Sequence, residues 1–86
     1  MFDLKWSDSA LDRLADIYVA ITPQDRAQLA AGVAALNAGL RADPLAIGES
    51  RIGGFRIAFL PGLAVLFHVS EADRLVRVVR VRRSRH

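Results

Sequence analysis

Six arginines, at positions 74, 77, 80, 82, 83 and 85, fall within the last thirteen residues of this 86-residue chain. A guanidinium stays charged at any physiological pH and presents a planar fork that grips phosphate or carboxylate through paired hydrogen bonds. Such a cluster suits a polyanion or an acidic peptide, and it could also stabilise charge developing on a reacting phosphate. Lysine is nearly absent, Lys5 being the one example, and the cations are unevenly spread. Residues 1–50 carry four basic and seven acidic side chains, whereas residues 51–86 carry eight basic and two acidic. The modest net charge of +3 therefore conceals a strongly basic C-terminal part.

General acid–base chemistry draws most readily on histidine, whose unperturbed pKa lies near neutrality, and the chain has two, His68 and His86. His68 sits between Phe67 and Val69 in an apolar stretch, where a hydrogen-bonded sheet histidine is the simpler reading. His86 is the terminal residue. Neither has an acidic cluster beside it, so no metal site and no cofactor are expected. Asp8, Asp12 and Asp16 recur at four-residue steps and read as a solvated helix face. Trp6 and Tyr18 fall on apolar faces and are assigned to the core rather than to base stacking. The chain contains no cysteine, which excludes a disulfide framework and a thiolate nucleophile and fits a reducing cytoplasm. Met1 to Trp6 do not read as a leader, and no run of about 18 apolar residues occurs, so neither secretion nor a membrane span is expected.

The elements that must position these side chains follow from periodicity. Phe2, Leu4 and Trp6 alternate with polar residues as a short strand does. Ser7 then stands at a helix N-cap, and Ala10, Leu11, Leu14, Ile17, Tyr18 and Ile21 recur at three- and four-residue steps. Thr22-Pro23 stops that helix and starts another, with Thr22 as cap and Pro23 at the first helical position. Leu29, Val33, Leu36 and Leu40 form its stripe, widened by Ala30 and Ala34, and Asp43-Pro44 closes it. Residues 42–54 hold no sustained period and read as a loop. From Phe55 the period becomes two: Phe55, Ile57 and Phe59 alternate, Pro61-Gly62 signals a type II turn, and Leu63, Val65, Phe67 and Val69 alternate in turn. After a second turn at 70–73, Leu75 to Val81 is a valine-rich strand. The expectation is one α+β domain over residues 1–86, in the order β-α-α-β-β-β. A helical hairpin packs on one face of a small, mainly antiparallel four-stranded sheet.

In this order and at these spacings the chain resembles the RelE/ParE superfamily of toxins from type II toxin–antitoxin systems. Ala42-Asp43-Pro44 followed by Gly48 is similar to the loop after that family's second helix, and Gly54-Phe55-Arg56-Ile57 to the start of its next strand. Phe67-His68-Val69 resembles its tyrosine-x-valine. Val76-Arg77-Val78-Val79-Arg80-Val81 with Arg82-Arg83 resembles its valine-rich last strand and basic exit. The resemblance implies a cognate antitoxin, an acidic amphipathic segment, as partner; a toxin–antitoxin hetero-oligomer and a homodimer of the free chain both remain open. It also implies two kinds of target. ParE-like members poison DNA gyrase, whereas RelE-like members cut mRNA on the ribosome, where cations stabilise the transition state of 2′-hydroxyl attack.

Carried over residue by residue, one basic position of the RelE pattern falls on Arg56, but a second falls on Ala58 and a third on Ala64. The basic position after the last strand falls at Arg83 to Arg85, and the residue often found beyond it would lie past His86. Arg56, Arg83, Arg85 and His86 are thus the catalytic candidates, and they make an incomplete nuclease site. The reading is a growth-inhibiting toxin nearer ParE than RelE. The alternatives are a RelE-like ribosome-dependent mRNA endoribonuclease and a degenerate toxin that only binds its antitoxin. Target or antitoxin contacts are expected from Arg56, Arg77, Arg80, Arg82, Arg83 and Arg85. Strict alternation puts Arg80 and Arg82 on one face and Arg77 and Arg83 on the other. Arg56 joins the first pair, with His68 at the edge, if the even-numbered side of its strand faces away from the helices.

Overall fold

A computed structural model describes residues 1–84. Strand β1 (Asp3–Trp6) leads into helix α1 (Asp8–Ala20) and helix α2 (Pro23–Ala42). A 3₁₀ turn (Pro44–Ala46), a two-residue strand β2 (Glu49–Ser50) and a second 3₁₀ turn (Ile52–Gly54) precede β3 (Phe55–Leu60), β4 (Leu63–Ser70) and β5 (Leu75–Arg83). The sheet runs in the order β1-β5-β4-β3-β2, with β1 parallel to β5 and the other neighbours antiparallel.

The local signals behave as their chemistry requires. The Ser7 hydroxyl accepts from the Ala10 amide at 3.1 Å, and the Thr22 hydroxyl from the Asp25 amide at 3.2 Å, so each helix has a first-turn donor satisfied by a side chain. Arg26 donates to the Tyr18 and Val19 carbonyls, closing the otherwise unpartnered end of α1. Gly62 has φ 79°, the value a type II turn demands after proline, and it closes the β3–β4 hairpin between the paired Leu60 and Leu63.

Both helices cover one side of the sheet. Ile17 of α1 and Leu29, Leu36 and Leu40 of α2 pack with Leu63, Val65, Phe67 and Val69 of β4 and with Val76, Val78 and Val81 of β5. Phe67 is completely buried, and removing a ring of that size from a core costs about 3–5 kcal/mol. Trp6 packs against this core and donates from its indole nitrogen to the Asn37 amide oxygen at 3.0 Å, tying β1 to α2. Among the described residues no polar or charged side chain is buried, and no helix is long and apolar enough to cross a membrane.

The expected four strands are present, and the sheet has a fifth, β2, inside the segment taken for a loop. Two residues carry no period, so β2 has no signature of its own. What permits it is Gly48, at φ 69°, which passes so close to β3 that an added Cβ would lie 2.2 Å from the Ile57 carbonyl oxygen. Smaller departures concern the helices: Leu11 is 48% exposed, and Ala30 and Ala34 face solvent rather than widening the stripe.

Gly48 and Gly62 make a controlled pair. Both have positive φ, but around Gly62 nothing lies within 4 Å of an added Cβ. Gly62→Ala should lose about 1 kcal/mol, the ordinary left-handed penalty, whereas Gly48→Ala should lose about 3 kcal/mol or more because backbone must move as well. Urea unfolding of the two variants measures the difference.

Candidate functional site: the open face of the sheet

Directly opposed residues in a ladder point to the same side of a sheet. The helices take Leu63, Val65, Phe67 and Val69 of β4, so Ala64, Leu66, His68 and Ser70 point away from them. Their β3 partners Phe59, Ile57 and Phe55 share that open side. On β5 the faces are set by an irregularity. Leu66 pairs with Arg80 but the next residue, Phe67, pairs with Val78, so Val79 is an extra residue in the strand. A bulge of this kind shifts the parity of everything beyond it. Val76 and Val78 are buried before the bulge and Val81 after it, and Arg77, Arg80 and Arg82 all come out exposed on the open side.

This corrects the expected division of the arginines. Arg77 shares its face with Arg80 and Arg82, because the bulge adds one residue between them. Arg83, paired with Leu63, is the one on the helix side. There it borders a recess of about 250 Å³ with Ile17, Ile21, Leu29 and Asp25. Lys5, opposite Arg77 across the parallel β1–β5 pair, joins the open face. Its outward position was implicit in the alternation with Leu4 and Trp6, but only the strand order reveals that it lands beside Arg77.

Three rows run across the open face from β3 through β4 to β5: Phe55-His68-Arg77, Ile57-Leu66-Arg80 and Phe59-Ala64-Arg82. Each row passes from an apolar side chain to a guanidinium. Among the described residues the one salt bridge joins Arg51 to Glu49, at 3.7 Å, and no described residue gives the side chain of Arg77, Arg80 or Arg82 a hydrogen bond or ion pair. The helical side carries Asp8, Asp12, Asp16 and Asp25, all exposed. These aspartates are interspersed with Arg13, Arg26 and Arg41, and on the open side Asp3, paired with Leu75, is the one acidic residue of β1 and β5 beside Lys5 and the three arginines.

Arg56 does not belong to this face. It opposes the core residue Phe67, as its neighbour Ala58, 4% exposed, opposes Val65, so the even-numbered side of β3 faces the helices. Its Nε donates to the Ile47 carbonyl at 2.9 Å and its Nη2 to the Gly48 carbonyl at 3.1 Å. The guanidinium clamps the 3₁₀ segment to the sheet, and the expected patch of Arg56 with Arg80 and Arg82 does not form. Arg74 is likewise engaged elsewhere: it turns the chain at φ 52° and lays its guanidinium 4.3 Å from the centre of the Phe2 ring, a cation–π contact.

His68 is on the open face, held from three directions. Its Nε2 lies 3.1 Å from the Gly53 carbonyl oxygen, its ring meets Phe55 edge-on with centroids 4.9 Å apart, and Gly54 packs beneath it. A carbonyl only accepts, so Nε2 carries the proton, and this nitrogen is committed to holding the 3₁₀ turn. Arg85 and His86, the remaining catalytic candidates, lie outside the described residues. Among the described residues no three histidine, aspartate or glutamate side chains converge.

No family model matches the sequence, and no curated protein shows significant similarity to it. Solved structures do resemble the fold. The chromosomal ParDE toxin–antitoxin system of P. aeruginosa superposes with a TM-score of 0.73 at 23% identity, over 96% of each chain. The RelBE2 toxin–antitoxin complex of Mycobacterium tuberculosis gives 0.71 at 19% identity, over 99% of this chain and 93% of that one. The isolated E. coli RelE toxin gives 0.65 at 17%, over 100% and 87%. The expected architecture is therefore the observed one, with β2 added.

The two classes of arginine separate experimentally. Arg56→Ala leaves two backbone carbonyls without their donor and should lower the unfolding free energy by about 1–2 kcal/mol. Arg77→Ala, Arg80→Ala and Arg82→Ala, which break no described side-chain hydrogen bond or ion pair, should each stay within about 0.5 kcal/mol of the parent. Denaturant midpoints of the four single variants decide it; an Arg56→Ala protein as stable as the others would remove the clamp.

Proposed function

We propose that this chain, which has the fold of the RelE/ParE toxins, is the growth-inhibiting toxin of a type II toxin–antitoxin pair. It acts in the cytoplasm in the ParE manner, by binding DNA gyrase rather than by cutting RNA. An acidic antitoxin segment neutralises it. The observation that carries this reading is the open face itself: Lys5, Arg77, Arg80 and Arg82 stand together on an apolar ground, and Arg77, Arg80 and Arg82 have no described counter-ion. Like charges are kept in proximity at some expense to folding, which is understandable where an anionic partner covers them.

The same geometry weighs against a nuclease. Arg56 is taken by two carbonyls, Ala58 is buried among core residues, Ala64 offers no charge, and the Nε2 of His68 is committed to Gly53. Each missing transition-state donor typically lowers a rate by about 10²–10³. What the face retains is the ability to grip an anionic surface, at a rate that falls as salt screens the attraction.

Controlled expression in a bacterial host tests both parts. Growth should stop with filamentation and DNA damage while mRNA stays intact, and a triple variant with Arg77, Arg80 and Arg82 changed to alanine should be harmless though its melting temperature is close to that of the parent. Codon-specific mRNA cleavage by the purified chain on programmed ribosomes would overturn the ParE-like assignment. Full toxicity of the folded triple variant would place the active surface elsewhere.

A further inference from the structure

The three rows of the open face are not equally filled. In the third, Ala64 stands between Phe59 and Arg82, where the neighbouring rows have Leu66 and His68. The missing bulk leaves a pit of about 160 Å³, lined by Ile57, Ala64 and Leu66 and walled by Arg80 and Arg82. Its lining is aliphatic, its rim is doubly cationic, and no described carboxylate reaches it. The volume suits one branched aliphatic side chain.

We propose that this pit seats a single apolar side chain of an acidic peptide segment, whose flanking carboxylates pair with Arg80 and Arg82. The inference rests on the reading of the open face as the partner-binding surface, and it names the chemistry recognised there. Charge selects an anion, and the lining selects among anions. A nucleic acid would offer flat bases, which stack on exposed ring faces; Phe55 and Phe59 stand at the β3 ends of their rows, but the lining of the pit itself is aliphatic, from Ile57, Ala64 and Leu66. An aliphatic side chain fills such a hollow and excludes water from the adjacent guanidinium–carboxylate pairs, which strengthens them. The pit would thus act as the anchor and the arginines as the orienting rim.

The experiment uses the full chain with labelled methyl groups, observed by NMR. The probes are an acidic peptide of about twelve residues with one central leucine, its leucine-to-alanine version, its glutamate-to-glutamine version, and oligothymidylate. The leucine peptide should shift the methyl signals of Ile57, Ala64 and Leu66 and bind about tenfold more tightly than the alanine version, the gain expected from burying most of one leucine. The glutamine version should bind far more weakly than either. Ala64→Phe, which fills the pit, should remove the leucine advantage, so that the leucine and alanine peptides bind it alike. Equal affinity of the leucine and alanine peptides for the parent chain would overturn the proposal, as would oligothymidylate shifting the same methyls at lower concentration. Growth arrest in cells without leucine-dependent binding would discard the pit and keep the toxin reading; leucine-dependent binding by a chain that leaves growth unaffected would do the reverse.

Discussion

The extra residue in β5 is the constraint on which the two-sided character of this molecule depends. The strand has to bury Val76, Val78 and Val81 under the helices, and these are spaced by two residues and then by three. A regular ladder cannot satisfy both intervals. Continued alternation after Val78 would turn Arg80 and Arg82 toward the helices and Val81 to solvent, and a charge buried without a partner costs several kcal/mol. Placing Val79 as a bulge opposite Leu66 resolves the conflict and, as a consequence, brings Arg77 into line with Arg80 and Arg82. The apolar demand of the core thus dictates the basic row on the other side.

A second consequence is a division of labour among cations that look alike in the sequence. Arg56 holds the Ile47 and Gly48 carbonyls, Arg74 covers Phe2, Arg26 closes α1, and Arg83 borders a recess on the helix side. Those roles are structural or peripheral. Among the described arginines, the three that the bulge brings to one face stand together there, with Lys5 beside Arg77 on the parallel β1 edge. The 3₁₀ segments contribute to the same separation, because the close pass of Gly48 over β3 and the seating of His68 on Gly54 fix the far edge of the open face.

Much of the fold was legible because local signals agreed with one another. Ser7 and Thr22 marked the helix starts, Pro61-Gly62 marked the hairpin, and the alternation from Phe55 to Val69 assigned those strands. The face of Arg56 was not legible, since alternation tells which residues share a side but not which side meets the helices; that is decided by packing. Strand β2 was invisible because two residues have no period, and Gly48 announces a special backbone without saying what lies across from it. The grouping of Arg77 with Arg80 was readable in principle: the Val78-Val79 doublet interrupts an otherwise regular valine–arginine alternation, and the doublet is where the bulge falls.

Because the chain has no cysteine, thiol labelling gives the most direct measurement of this arrangement. Single cysteines placed in turn at positions 76, 77, 78, 80, 81 and 82 report which side of β5 each residue occupies. With the bulge, cysteines at 77, 80 and 82 should react with a water-soluble disulfide reagent at rates near those of the unfolded chain, while those at 76, 78 and 81 should be strongly protected. An unbroken alternation, with 77 and 81 reactive and 80 and 82 protected, would contradict the account, because the three arginines would then not share a face.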